Sequence, residues 1–508
     1  MTDMKKNKII ILYVLLFVLY PLFMTNGYKN TVMTKCISFA LITGVAFFVT
    51  AWMDYEKYVT ENGGLGNFSV KKSIKDLSVT DKFGAAFILA ALLSFAFAKY
   101  RAVAFTGSSD SYLGLFAVIV MAMIYRTAKK HFSLDEIFVL TASVGGAAAA
   151  LFAIIQFMGA DLFGMFSAIE KTTDRIYNFL STLGNTSVFG QYMILILPLA
   201  VTGYCMADDI RKRIIFGICN SIMIIGIMVA NVDAAYLGFI VICALCAVVF
   251  LRDAAHFKKI MELCSQTLLS VIILKIIYSL CSSARGRSAI TRAIMDVPAY
   301  VYVVLMIVFV AAAYLADKKI KSEKFYMAVS KTAKAFSFTI AVAVIALFIY
   351  LSVVDTDSQL FGLEKYLRFS DHWGTDRGYV WRWLFTIFMG AGPVQKIFGA
   401  GQGSVVFELF SHYKVQMISE LKYYFDNAHN VYLHILFTMG ILGAAVYIAF
   451  IASAVKDGIQ KALKENKYMW GAVISIVSYA AVDFFCVLQP ITLGLYIILI
   501  GMVSAKKN

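Results

Sequence analysis

The chain has 508 residues, 60% of them hydrophobic and only 15% charged, with 46 Lys and Arg against 31 Asp and Glu for a net charge of +15. That much apolar surface excludes a water-soluble globular domain, and the lack of ten-residue segments of alternating polarity excludes a transmembrane barrel. An all-α, polytopic transmembrane helical bundle remains, and the meaning of the positive charge depends on where it falls.

Apolar runs long enough to cross a bilayer predict about fourteen spans, near residues 9–24, 36–52, 83–100, 112–127, 136–158, 187–206, 214–230, 235–251, 266–284, 298–316, 335–354, 431–454, 469–485 and 488–504. The first follows a basic tail and has no small-residue cleavage site, so it is expected to stay as an anchor rather than be removed as a signal peptide. Between the runs lie short basic clusters: Lys5, Lys6 and Lys8; Arg126, Lys129 and Lys130; Arg211, Lys212 and Arg213; Lys258 and Lys259; Lys318, Lys319, Lys321 and Lys324; Lys456, Lys461, Lys464 and Lys467; Lys506 and Lys507. With the amino terminus inside, every cluster falls on the cytoplasmic side of the cell membrane. Both termini are then cytoplasmic, and the long polar stretch from about 355 to 430 lies outside. The charge thus orients the chain in a lipid bilayer and does not form a nucleic-acid-binding stripe.

This divides the chain into amino-terminal spans (1–180), central spans (181–354), an extracytoplasmic loop domain (355–430) and carboxy-terminal spans (431–508). The eight cysteines lie in or beside apolar runs, so neither a disulfide framework nor a zinc site is indicated. Cys243 and Cys246 have redox-pair spacing, but within a span they read as packing residues. No metal site and no cofactor is expected.

Several polar features sit at the outer ends of spans. Leu183-Gly184-Asn185-Thr186-Ser187 precedes the sixth span, with Gln191 one turn inside it. These residues can cap that helix, and its amino terminus favours an anion. Asn231-Val232-Asp233 makes a very short turn, where the carboxylate can cap the next helix. Lys275 lies within the ninth span, and an intramembrane charge snorkels, pairs or marks a site. Arg285, Arg287 and Arg292 run against the charge bias, and guanidinium groups are natural bidentate partners of phosphate.

In the long loop, Tyr379 to Gly390 reads as a short amphipathic helix with Trp381 and Trp383 at headgroup level. Arg377, four residues before Trp381, shares its face, and Arg382 points elsewhere. Asp371, His372 and Asp376 are spaced too loosely for a metal site. Gly392-Pro393 ends the helix, and Gly399, Gly401 and Gly403 allow a tight turn whose amides could face an anion. His429, flanked by Asn427 and Asn430 as possible caps, stands where the loop becomes a helix. The helix dipole there disfavours imidazolium, leaving a neutral ring able to accept a proton.

Taken together, Gly184-Asn185 before a span, Arg377 with Trp381, Pro393, the Gly399–Gly403 turn, and Ala428-His429-Asn430 leading into Gly440-Ile441-Leu442-Gly443 resemble the O-antigen ligase and O-antigen polymerase family, over roughly residues 180 to 500. The resemblance implies a metal-independent, inverting membrane glycosyltransferase. It would take a glycan from an undecaprenyl-diphosphate carrier and pass it to a glycan, lipid or other acceptor. Carried over by position, Arg377 contacts the diphosphate and His429 activates or orients the acceptor, with Asn185, Gln191, Asn430 and Trp381 around the substrate.

One position departs from the family pattern: Asp233 stands where a second arginine is expected. The expectation is that Arg285 or Arg287 supplies the missing cation while Asp233 orients a partner or the acceptor. A transporter or flippase of lipid-linked saccharides would share the spans and outer arginines without needing a base at His429.

Overall fold

The computed structural model describes residues 3–62, 77–109, 111–168, 178–280, 288–320, 322–358 and 362–505. Its helices are α1 (Asp3–Val14, prolonged by a π turn at Leu15–Leu19 and by Tyr20–Leu22), α2 (Thr31–Asn62), α3 (Val79–Ala96), α4 (Arg101–Thr106), α5 (Leu115–His131), α6 (Glu136–Phe157), α7 (Thr186–Met206), α8 (Ile210–Ala230), α9 (Asp233–Phe250), α10 (Ala254–Leu280), α11 (Ala289–Asp296), α12 (Ala299–Lys318) and α13 (Glu323–Val353). The loop region adds α14 (Glu364–Leu367), α15 (Trp373–Gly390), α16 (Pro393–Phe398) and α17 (Val405–Gln416), and the chain ends in α18 (Val431–Lys464), α19 (Met469–Val482) and α20 (Pro490–Ser504). The only strands among the described residues are the two-residue pair Phe179–Leu180 and Gly184–Asn185. Ten described helices are long and apolar enough to cross a bilayer, and α19 and α20 are shorter apolar ones. The all-α, multi-pass membrane architecture read from composition therefore holds.

Local chemistry sets the helix ends. Ser78 and Asp81 form a reciprocal capping box at α3, Asp135 accepts from the Phe138 amide at α6, and Asn185 accepts from the Ser187 amide at α7. Asn231 ends α8 at φ 57°, in the left-handed region that asparagine tolerates better than most residues.

Burial orders the bundle. In α7 94% of the apolar span is buried and in α13 only 6%, so α7 is the central post and α13 lies at the periphery with its apolar surface toward lipid. Helices α6, α8, α9 and α19 pack around α7.

The region between α13 and α18 has a small core of its own, including Val380, Trp383, Leu384, Leu409, Met417 and Phe425, and it rests on Phe437 of α18. This corrects the placement of the tryptophans at headgroup level. Trp383 is buried and stacks on Tyr413, and the Trp381 indole N–H donates to the Ala428 carbonyl at 2.9 Å. A polar loop over the bundle needs an apolar interior of its own, and these rings supply it.

The glycine turn is structural, as the plain-turn reading of these glycines expects. The amides of Ala400 and Gly401 donate to the carbonyls of Phe437 and Thr438, and so are not free for an anion. A side chain at Gly399 would meet the Thr438 carbonyl at 2.1 Å, and one at Gly440, where α18 breaks at φ 68°, would meet the Ile397 carbonyl at 2.2 Å. Lys275 has no ion pair among the described residues. It lies near the end of α10 and donates to the carbonyls of Met295 and Val297, capping α11.

Candidate functional site

Helix α15 delivers Arg377 through an unusual entry. Gly374, Thr375 and Asp376 all have φ between 62° and 64°, a left-handed run that costs Thr and Asp about 1 kcal/mol or more each. Asp376 is held there by His372 Nδ1 at 2.7 Å and by the Tyr423 hydroxyl, and Gly378 lies so close under Ser370 that a side chain would reach its carbonyl at 1.8 Å. Arg382 turns away and pairs with Asp371 at 2.7 Å, as its helical position requires. Arg377 and Trp381, one turn apart, both face residues 428 and 429.

His429 is fixed from both sides. Its φ is 47°, its amide donates to Asn427 Oδ1 at 2.9 Å, and its ring meets Phe425 edge to face. Ala428 before it is tied to Trp381. Asn430 after it caps α18 by accepting from the Leu433 amide at 2.9 Å, and the Val431 amide donates to the Asp483 carbonyl.

Burial lowers the imidazole pKa to about 3, helped by the positive charge of Arg377, so the ring is neutral near pH 7. The sequence led to the expectation of a neutral ring, and burial together with the nearby guanidinium favours one. The Arg377 guanidinium has no hydrogen bond or ion pair among the described residues. Burial pulls its pKa down while Cys486, Asp233 and Tyr423 act in the opposite direction, and a guanidinium stays charged in either case.

Asp233 opens α9 on the same side. One carboxylate oxygen accepts from the Tyr366 hydroxyl at 3.3 Å, and the other is buried without a hydrogen-bond partner among the described residues. Arg292 on α11 lies close enough to act electrostatically on Tyr366. The Asn231 side chain accepts from the Ser288 amide at 2.8 Å and the Thr291 hydroxyl at 2.6 Å, docking α11 onto the turn that carries Asp233. Arg285 and Arg287 lie outside the described residues.

The structure thus brings Arg377, His429, Asp233 and Trp381 together. Asn430 supports them as a cap. Gln191 is buried beneath, donating to Asp483 at 3.2 Å, and Asp483 in turn holds the Val431 amide. Asn185 is exposed and spends its side chain on its own helix. Tyr366, Tyr423 and Cys486 were not singled out from sequence, and Asp376 was weighed there only as a metal ligand. Their only signal was proximity in sequence to a motif residue, as for Asp376 beside Arg377, or none.

Comparison of the chain with curated proteins gives no match. Residues 298–448 match the family described as O-Antigen ligase. The match holds Arg377, Trp381, the glycine turn, His429, Asn430 and Gly440, and stops short of the Asn185 and Asp233 turns. By that match residues 298–448 are similar to an O-antigen ligase domain, which supports a glycan-joining function in a membrane, by ligation or polymerisation.

Proposed function

We propose that the protein transfers or polymerises a glycan from an undecaprenyl-diphosphate donor onto an acceptor hydroxyl, at the outer face of the cytoplasmic membrane and with both termini inside. The observation that carries this reading is Arg377: a guanidinium with no partner of its own among the described residues, beside a neutral, immobilised imidazole. The acceptor oxygen attacks the anomeric carbon and the bond to the diphosphate oxygen breaks. The bonding pair leaves with the diphosphate, and the hydroxyl proton goes to His429, with inversion at the sugar. Fixed cations meet the charge that develops on the leaving group, so no metal is required.

Asp233 cannot bind a diphosphate, and its free oxygen instead suits a hydroxyl or a neighbouring cation. The docking of Ser288 on Asn231 keeps the chain that follows Arg287 at this turn, which supports Arg285 or Arg287 as the second cation. Donor binding also changes His429. A diphosphate on Arg377 offsets the positive charge that holds the imidazole pKa down, so the ring becomes a stronger base once the donor is in place.

The test pairs Arg377→Ala with His429→Ala in purified protein, reading undecaprenyl diphosphate binding and glycan transfer separately. Arg377→Ala should lose binding, while His429→Ala should keep binding and lose transfer. A His429→Ala protein that moves or transfers glycan at the normal rate would mean a flippase, or a different base.

A further inference from the structure

Helices α3, α5, α18 and α20 wall a cavity of about 840 Å³. Ala85, Ile88, Ala117, Met121, Phe450 and Leu493 are among its mostly apolar lining. Packed interiors leave few voids larger than a water molecule, and apolar cavities do not take up water, so a space of this size among membrane helices calls for hydrocarbon. Along α5 the lining runs from Ala117 to Lys130, about 20 Å at 1.5 Å per residue. A fatty-acyl chain reaches about half way across a hydrocarbon layer of about 30 Å, so the slot is long enough to take one.

The two ends decide which way round a lipid sits. At the end next to the loop the lining is Gln402, His434 and Thr438, with no lysine, arginine or carboxylate among the described residues. The other end holds Arg126, Lys129, Lys130 and Lys461 against Asp81 and Glu465. Lys129 is already paired with Asp81, Lys461 donates to the carbonyls of Val503 and Ala505 at the end of α20, and Glu465 is exposed.

Arg126 and Lys130 are placed differently. Both lean on the single carboxylate of Asp54, at 2.7 and 2.8 Å, and His131 meets its other oxygen at 3.2 Å. One negative charge against two permanent positive ones leaves an excess. The two side chains keep 40% and 55% of their surface exposed, and Arg126 Nη1 has no hydrogen-bond partner among the described residues. Surplus cations at the mouth of an apolar slot between membrane helices match the head of an anionic phospholipid, and the guanidinium fork matches its phosphate.

We infer that the slot holds an acyl chain of an anionic phospholipid from the cytoplasmic leaflet, with the phosphate at Arg126 and Lys130 and the chain running toward His434. The head then lies at the end of the bundle away from Arg377 and His429, which sets this lipid apart from the substrates of the reaction. Its chain fills the gap between α5 and α18, the helix that begins two residues after His429. The choice of leaflet rests on the orientation proposed above; the site and the direction of the lipid within it do not.

Three measurements on the full chain test this. Delipidated protein is titrated with dioleoylphosphatidylglycerol, with dioleoylphosphatidylcholine and with glycerol phosphate, and binding is read by native mass spectrometry. The anionic lipid should bind at least tenfold more tightly than the zwitterionic one, and Arg126→Gln combined with Lys130→Gln should erase that preference. Equal affinity for the two lipids, a preference that survives the double substitution, or glycerol phosphate binding as tightly as the lipid overturns the assignment. Should the double variant fail to fold, photoreactive phosphatidylglycerols decide the matter in the native protein. A probe in the head should label the Arg126–Lys130 end of α5 and one at the chain terminus should label α18 near His434, whereas the reverse pattern, or labels confined to the outer faces of the helices, overturns it. Finally, Ser133→Cys should react with an impermeant maleimide in inverted vesicles and not in intact cells. Reaction in intact cells would overturn the orientation and the choice of leaflet, while the head and tail labels still decide what fills the slot.

Discussion

Trp381→Phe isolates the contact that joins the helix carrying Arg377 to His429, the proposed general base. The indole N–H donates to the Ala428 carbonyl at 2.9 Å, and Ala428, fully buried, immediately precedes His429. Phenylalanine keeps a ring against Phe369, Trp373 and Phe484 and removes only the donor. A hydrogen bond of this kind contributes a net ~1 kcal/mol, and leaving a buried carbonyl unsatisfied raises the cost to about 2 kcal/mol. If that energy holds His429 in its reactive position, kcat should fall about thirtyfold, at roughly 1.4 kcal/mol per decade. Steady-state transfer kinetics with a parallel melting curve provide the assay, with donor KM expected to change less than about threefold. A loss confined to KM would instead make Trp381 a substrate contact. Wild-type kcat with an unchanged melt would refute the linkage argument altogether.

The acid limb of kcat should lie at higher pH than that of kcat/KM. In the free protein His429 is held near pKa 3 and accepts a proton only in strong acid, whereas bound diphosphate relieves the Arg377 contribution. Coincident limbs would show that donor binding does not tune the base. Gly440→Ala should destabilise the protein by several kcal/mol, because φ 68° with ψ −173° is a conformation only glycine adopts readily and the new methyl would collide with the Ile397 carbonyl. Fluorescence-detected size exclusion should show loss of the folded peak, and a normal profile would contradict the packing described. Arg285→Ala and Arg287→Ala should lower transfer at least tenfold in one of the two, and near-normal activity in both would end the idea that either replaces the arginine absent at Asp233. Lys275→Met should lower the melting temperature by a few degrees through loss of the α11 cap, measured by the same melting assay.

The motif residues of the loop could be read before the fold because their types carry chemistry wherever they lie. Arg377 and His429 are examples, and the one-turn spacing of Arg377 and Trp381 already placed them on a common face. Trp383, by contrast, reads as a membrane anchor until the loop is seen to have a core, since a tryptophan beside polar residues has the same local signal in either setting. Tyr423 and Tyr366 had no local signal at all, because their roles come from Asp376 and Asp233, residues 47 and 133 positions away.

Composition and the period of apolar runs determined on their own that the chain is a helical membrane bundle, because a bilayer admits few backbone solutions and each span must satisfy its own hydrogen bonds. Which helices meet was beyond them, since lipid-facing and protein-facing apolar residues are chemically alike. Tertiary packing alone decided that α7 is the central post, that the glycine turn spends its amides on α18, and that α3, α5, α18 and α20 part to leave a slot.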